Sequence, residues 1–119
     1  MRTQCSHVHA AVLRALATIA DSDPADRQKP ALIVEAVRSE DWASVTFVGA
    51  THAIDVRLEG DPDVVAAACA RLMAQIADHD IPVSGQIVAD IAVALLSVET
   101  HPDNIVAQSL TVNLLTIMD

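Results

Sequence analysis

The chain has 119 residues, the size of one ordinary domain, and 52% of them are hydrophobic, which is enough to build a core. Its 7 basic and 16 acidic residues give a formal net charge of −9, which disfavours binding to a phosphate backbone or to an anionic membrane. The composition therefore argues against nucleic-acid-binding and membrane-surface proteins, and it permits a basic protein partner.

The first half of the chain predicts one helix followed by strands. Apolar residues recur at spacings of three and four and the pattern stops before Pro24, which is typical of an amphipathic helix. The predicted elements are a helix over 4–20, strands over 31–38, 42–48 and 51–59, a turn over 39–41 and a hairpin turn at Gly49-Ala50. A short helix begun by Pro30 is the alternative for 31–38, because that segment also contains good helix formers.

The second half predicts another helix and two long strands. The helix begins after Gly60, and we expect Asp63 to cap it while Pro62 lies near its first turn. The strand segments are almost wholly apolar. The predicted elements are a helix over 63–78, a strand over 86–98 and a last strand over 105–118.

The two predicted helices are similar in sequence. Residues 8–23 align with 65–80 at an offset of 57, and nine of the sixteen pairs are identical. The identical pairs are Val8/Val65, Ala10/Ala67, Ala11/Ala68, Arg14/Arg71, Ala17/Ala74, Ile19/Ile76, Ala20/Ala77, Asp21/Asp78 and Asp23/Asp80. This similarity indicates a duplicated α-β-β unit, with copies 1–60 and 61–119 in a single domain over 1–119. A chance likeness of two alanine-rich helices is the alternative.

The order of elements predicts an α+β fold built as a two-layer sandwich. The order is α-β-β-(β)-α-β-β, with 31–38 as the strand in brackets, and both helices are expected on one face of a mainly antiparallel sheet. With five strands, this order is similar to that of the small dimeric secretion chaperones without their terminal helix. A likeness of this kind concerns the fold and says little about function.

The strand over 86–98 is apolar on both sides, which a sheet covered by helices on one face does not require. Strict alternation puts five aliphatic residues on the side away from the helices, with Asp90 as the charged exception. These residues are Val88, Ala92, Ala94, Leu96 and Val98. Monomers rarely leave such a patch in water, so we predict a homodimer, or a larger assembly, formed through the face of the sheet.

Cys5, His7 and His9 form the one dense cluster of metal-capable side chains in the sequence. Three such residues without a second pair are a weak zinc signal, so we expect neither a bound metal nor a cofactor. Cys5 and Cys69 lie on the apolar stripes of the helices and are expected to be free thiols. Together with the absence of a secretory signal, this predicts a cytoplasmic protein.

His52 is the strongest candidate for a catalytic group. Alternation places it on the buried side of its strand, and Asp90 and Glu35 are carboxylates that interrupt apolar strands. A carboxylate beside a partly buried histidine could form an acid–base pair, but we favour the simpler interpretation that Glu35 and Asp90 face solvent near a sheet edge and that His52 lies at the rim. Asn113 in the last strand is a weaker polar candidate of the same kind.

The sequence contains no phosphate-binding loop, zinc-protease motif or serine-hydrolase motif. We therefore favour a homodimeric interaction or assembly module, which includes a chaperone-like protein, over an enzyme. A small-molecule-binding domain with its pocket between helices and sheet is one alternative. An enzyme that uses His52 with Asp90 or Glu35 is the other.

Overall fold

The computed structural model describes residues 2–118 and, from residue 7 onwards, their side chains. The elements are α1 (Arg2–Ala20), β1 (Ala31–Ala43), β2 (Val48–Gly60), α2 (Pro62–Gln75), β3 (Gln86–His101) and β4 (Ile105–Met118), with 3-10 turns at Ile76–Asp78 and Pro102–Asn104. The predicted α+β class is confirmed. No helix in the described range 2–118 is long and apolar enough to cross a membrane.

The four strands form one antiparallel sheet in the order β1-β2-β4-β3. Every second residue of β2 and β4 is buried against the helices, as Ile54, Val56 and Val112 illustrate. These residues join the apolar stripes of α1 and α2 in one core cluster, which contains Leu16 and Leu72 as fully buried members. We call this side of the sheet the helix face and the other side the open face.

The first hairpin differs from the prediction. The strand predicted over 31–38 continues through the predicted turn at 39–41 to Ala43 as one strand, β1, and most of the strand predicted over 42–48 is instead the turn at residues 44–47, which replaces the one predicted at Gly49-Ala50. Ser44 closes this turn by donating its backbone N–H to the carbonyl oxygen of Phe47 at 2.8 Å. Gly49 lies inside β2, where a Cβ atom would collide with the carbonyl oxygen of Thr116. The glycine therefore permits the close approach of β2 and β4 and makes no turn.

The start of α2 also differs from the prediction. The N-cap residue is Asp61, and its side chain makes no capping hydrogen bond. Its carbonyl oxygen accepts the first helical hydrogen bond from the N–H of Val65 at 2.9 Å. Pro62 occupies the first turn, where its missing N–H costs nothing, and Asp63 follows it there. The expectation that Asp63 caps the helix was wrong.

The strand β3 does not alternate strictly, and this changes the open face. Its pairing with β4 shifts register between Val88 and Asp90 and again between Leu95 and Val98. Each bulge inserts an extra residue, which reverses the faces of the residues that follow. The large residues Ile91, Val93, Leu95 and Val98 consequently lie on the helix face. Asp90, Ala92 and Ala94 lie on the open face as predicted, whereas Val88 and Val98, which were predicted there, lie on the helix face, so this part of the predicted apolar row was wrong.

Candidate functional site

His52 is buried on the helix face near the hairpin end of β2, and 3% of it is exposed. Its Nδ1 atom lies 2.8 Å from the hydroxyl oxygen of Ser39 on β1. Its Nε2 atom lies 3.0 Å from the hydroxyl oxygen of Thr116 on β4. The imidazole thus connects β2 to both of its neighbouring strands. Ser39 lies directly opposite His52 on β1, and Thr116 follows two residues after Leu114, which lies opposite His52 on β4.

A second histidine extends this network to α1. His9 Nε2 lies 2.9 Å from the Ser39 hydroxyl oxygen, and the rings of His9 and His52 meet edge to face with centroids 5.3 Å apart. Helical periodicity places His9 one residue after the buried Val8, on the border between the core and solvent. The four side chains form a connected group that we call the histidine network: His9, Ser39, His52 and Thr116.

The hydrogen-bond directions in the histidine network follow from its buried end. The Thr116 hydroxyl donates to the carbonyl oxygen of Ala50 at 3.4 Å, so its oxygen is available to accept from the Nε2–H of His52. The unprotonated Nδ1 of His52 then accepts from the hydroxyl of Ser39. The Ser39 oxygen in turn accepts from the Nε2–H of His9. His52 is neutral in this arrangement because its Nδ1 accepts a hydrogen bond, and each donor in the chain from His9 to Thr116 points towards Ala50.

The electrostatics of the site favour neutral imidazoles. Burial lowers the pKa of His52, and the neighbouring His9 lowers it further. Burial also lowers the pKa of His9. A proton on either ring would lose solvation, and two charged rings at this separation would repel each other. The network therefore ties α1 to three strands most strongly when both histidines are uncharged.

The predicted carboxylate partners of His52 lie elsewhere. Glu35 occupies the bulge of β1, and its carboxylate accepts from Arg57 at 3.0 Å. Asp90 is level with Leu115 on the open face of the sheet, whereas His52 points to the helix face. In the described part of the chain, the hydrogen bonds of His52 go to two hydroxyl groups. The His52 side chain is hydrogen-bonded to Ser39 and Thr116, and among the described side chains it makes no hydrogen bond to Asp90 or Glu35.

The contact between Ser39 and His52 has the geometry of a hydroxyl group and a neighbouring base. The base is oriented by a threonine hydroxyl here, whereas carboxylate orientation is usual in catalytic triads. Thr116 stabilises one tautomer of His52 but supplies no negative charge to favour the imidazolium form. The arrangement can hold a proton in a defined position and can couple a helix to a sheet.

The predicted metal cluster lies partly outside the described side chains, because Cys5 belongs to the segment whose side chains are not described. His7 is exposed, and His9 is engaged with Ser39. No group of three or more histidine, cysteine or acidic residues that could hold a metal ion occurs among the described side chains. Cys69 is a buried free thiol, and burial raises its pKa.

The open face carries a shallow hollow with a volume of about 450 Å³. Small residues such as Ala53 and Ala92 form part of its floor, and Asn113 and Asp90 lie in it. Arg38 lies at the hollow and donates to the carboxylate of Asp55 at 2.7 Å, which lowers the pKa of that carboxyl group. The hollow is therefore lined by small, polar and charged residues together with leucines, and three of the candidate polar residues from the sequence, His52, Asp90 and Asn113, contribute to its lining.

Two other surfaces expose large apolar side chains. The first, which we call the hairpin tip, consists of residues 44–48 and exposes Val45, Phe47 and Val48. The second is an open groove of about 410 Å³ between α2 and the edge strand β3, which we call the α2–β3 groove. Its lining includes Pro62, Cys69, Met73, Leu95, Val98 and Val106. Both surfaces are unusual for an isolated chain because large aliphatic side chains remain in water.

Sequence reasoning missed the hydroxyl partners of His52 and both apolar surfaces. Ser39 lies in the segment predicted to be a turn, so nothing in the sequence indicated that it would lie opposite His52 on a strand. Thr116 shares the parity of Leu110, Val112 and Leu114 in β4, and this parity is a signal for a buried hydroxyl that needs a partner. The α2–β3 groove had no signal of its own, since it depends on the bulges of β3.

A solved structure with the same fold is a chain from the virion of a native gene transfer agent (GTA) particle. Our chain is similar to it with a TM-score of 0.64 and 15% sequence identity, over 92% of this chain and 91% of that chain. No protein-family model matches the chain, and no curated protein matches it. At this level of identity, the likeness concerns the fold.

Proposed function

We propose that this protein is a structural subunit of a multi-subunit particle of the virion type and that it associates with copies of itself. The observation that carries the proposal is the likeness to a chain of the gene transfer agent virion, which extends over nearly the full length of both chains. A fold can serve several functions, so the surface of this chain has to support the assignment independently.

The surface supports an assembly role because six of the eleven exposed large apolar residues among the described side chains lie in two patches. They cluster at the hairpin tip and along the α2–β3 groove, as Val45 and Met73 illustrate. Patches of this kind in a chain of net charge −9 are typical of surfaces that become covered in an assembly. Self-association remains part of the proposal, but we assign it to these surfaces. The open face keeps Ile87, Leu115 and Ile117 but also carries alanines and ion pairs, and it has lost Val88 and Val98 from the apolar row that first suggested a dimer.

Light scattering after size-exclusion chromatography, combined with negative-stain electron microscopy, tests this proposal. The full chain at about 10–100 μM is expected to give a mass that is a multiple of the 12.6 kDa monomer and particles of defined size. A single monomer mass across that range, with no particles on the grid, would contradict the self-associating subunit. A cytoplasmic site of synthesis belongs to the same proposal, and the free thiol of Cys69 supports it.

A small-molecule-binding domain is the second candidate, and the α2–β3 groove is the observation that favours it. Its volume of about 410 Å³ falls in the range of small-ligand sites, and its lining is apolar. A fluorescent apolar probe that binds one site per monomer, and is lost in Met73→Glu, would support this alternative. If assembly releases the probe, the groove serves as a subunit interface.

A further inference from the structure

We propose that the hairpin tip of one copy docks into the α2–β3 groove of the next copy. This contact rests on the proposed function, and it names the partner of the groove as a second copy of this chain. Large apolar side chains are exposed on a projecting element and beside an open groove of the same molecule. The projecting hairpin tip of one copy can therefore fill the open groove of another copy.

The groove is an open apolar channel whose floor is already ordered by the fold. Met73 is 52% exposed on α2, and Leu95 and Val98 stand opposite it on β3. The second bulge of β3 turns Val98 to the helix face, where it lines the groove and is 59% exposed. The channel thus lies between α2 and the edge strand β3, with apolar side chains from both elements in its lining.

The hairpin tip projects away from the core. Val45 lies in the turn and is 106% exposed, so its side chain makes no packing contact that the fold requires. Phe47 and Val48 follow it and are also exposed. The turn is nevertheless ordered, because Ser44 bonds Phe47 through both its N–H and its hydroxyl group. An ordered apolar loop loses little conformational entropy when it is buried in a partner.

Charge favours this pairing over contacts elsewhere on the surface. Residues 42–51 contain no charged side chain, and no charged residue lines the groove. Two copies with a net charge of −9 each repel one another when acidic surfaces meet. Docking the hairpin tip in the groove brings together two uncharged surfaces, which avoids this repulsion and buries aliphatic area on both sides.

The geometry excludes closure of the groove by the hairpin of the same chain. β2 runs from the hairpin tip at Val48 to Gly60 beside the first turn of α2, so the two surfaces are separated by about 40 Å along the strand. They also belong to opposite edges of the sheet, since β1 and β3 are its outer strands. A contact between two different patches is heterologous, and its repetition links many copies head to tail.

Disulfide cross-linking between two differently tagged chains tests the contact. Both chains carry Cys5→Ser and Cys69→Ala; one also carries Val45→Cys and the other Met73→Cys. After mixing and mild oxidation, we expect the mixed dimer to exceed either homodimer severalfold. Homodimers of the Met73→Cys chain alone would overturn the proposal in favour of groove-to-groove contact, and homodimers of the Val45→Cys chain alone would overturn it in favour of hairpin-to-hairpin contact.

Light scattering on the same chains separates this inference from the proposed function. Assembly without the mixed cross-link refutes the docking while the subunit function stands, whereas a monomer under all conditions refutes both. Val45→Asp is expected to raise the dissociation constant of the assembly at least about tenfold, because it places a charge in a buried apolar contact. Ser84→Asp adds the same charge to an exposed loop elsewhere and is expected to leave the assembly unchanged. Equal effects of the two variants would overturn the docking.

Discussion

The chain contains two α-β-β units that share one core but present different surfaces. The first unit, α1-β1-β2, contributes three members of the histidine network and ties its helix to the sheet through polar contacts. The second unit, α2-β3-β4, packs its helix through apolar contacts and leaves the α2–β3 groove beside it. The difference lies in the edge strands: β1 has one bulge, whereas β3 has two and is longer. The same order of elements thus produces polar contacts between helix and sheet in the first unit and an exposed apolar groove in the second.

We propose that the two units arose by duplication of one α-β-β unit. The order of elements repeats, and the sheet order β1-β2-β4-β3 places the second strand of each unit at the centre. Arg14 and Arg71 occupy equivalent positions in the two helices, but they make different contacts. Arg14 is exposed, while Arg71 donates to the carbonyl oxygens of Ile19 and Ala20 at 2.9 and 2.8 Å and so caps the end of α1.

The largest expected effects test whether both units stabilise the same core. Leu16→Ala in α1 and Leu72→Ala in α2 each remove a fully buried side chain, and each is expected to lower the free energy of unfolding by about 2–5 kcal/mol. Urea denaturation followed by circular dichroism measures this change. Met73→Ala, one residue along α2 but half-exposed, is the control and should cost about 0.5 kcal/mol. A Leu72→Ala cost as small as that of the control would show that α2 is peripheral.

The next effect concerns the arginine that joins the units. Arg71→Met keeps the aliphatic stem but removes two hydrogen bonds to the end of α1, and we expect a loss of about 1–3 kcal/mol. Arg14→Met changes the corresponding residue of the first unit and is expected to alter stability by no more than about 0.5 kcal/mol. Thermal and urea unfolding of the two variants measures the difference. Equal losses would mean that the link between α2 and α1 contributes nothing specific.

A smaller, pH-dependent effect on stability tests the histidine network, which joins α1 to the sheet. The folded-state pKa values of His9 and His52 lie below the ordinary value of 6.5, so the folded chain binds fewer protons than the unfolded one. This contribution to stability is complete above the unfolded pKa and declines as the pH falls below it towards the folded pKa. Urea midpoints should therefore decrease from about pH 8 to about pH 5, a range above the ordinary carboxyl pKa values. His9→Gln should give a shallower decrease, and an unchanged slope would contradict this account.

The smallest effect concerns the start of the second helix. Asp63 lies in the first turn of α2, whereas α1 has no acidic residue in its first turn. Asp63→Asn is expected to cost about 0.3–1 kcal/mol, since it removes a negative charge from the positive end of the helix without breaking a capping bond. Denaturation at low and high salt measures it, because only a charge effect is screened. A loss near 2 kcal/mol that persists in salt would restore Asp63 as the side-chain cap.

Part of the candidate site was predictable from the sequence. Alternation along β2 correctly placed His52 on the buried side, because Ile54, Val56 and Leu58 share its parity. Its partners were not predictable in the same way. A hydrogen bond between Ser39 and His52 depends on the pairing of two strands through a hairpin whose turn was assigned to the wrong residues. The contact with Thr116 depends on two strands that are far apart in the sequence.

The sequence by itself determined the α+β class, the two helices and the two long strands near the C-terminus, because these elements depend on local periodicity and on turn residues that act over a few positions. Only the tertiary structure decided which face each residue of β3 occupies, since a bulge is a property of a strand pair and a shift of one residue reverses the faces. It also decided that Gly49 belongs to a strand, that Arg71 caps a distant helix, and that a channel remains open beside α2. These features arise where segments remote in sequence meet, and no single segment contains the information that specifies them.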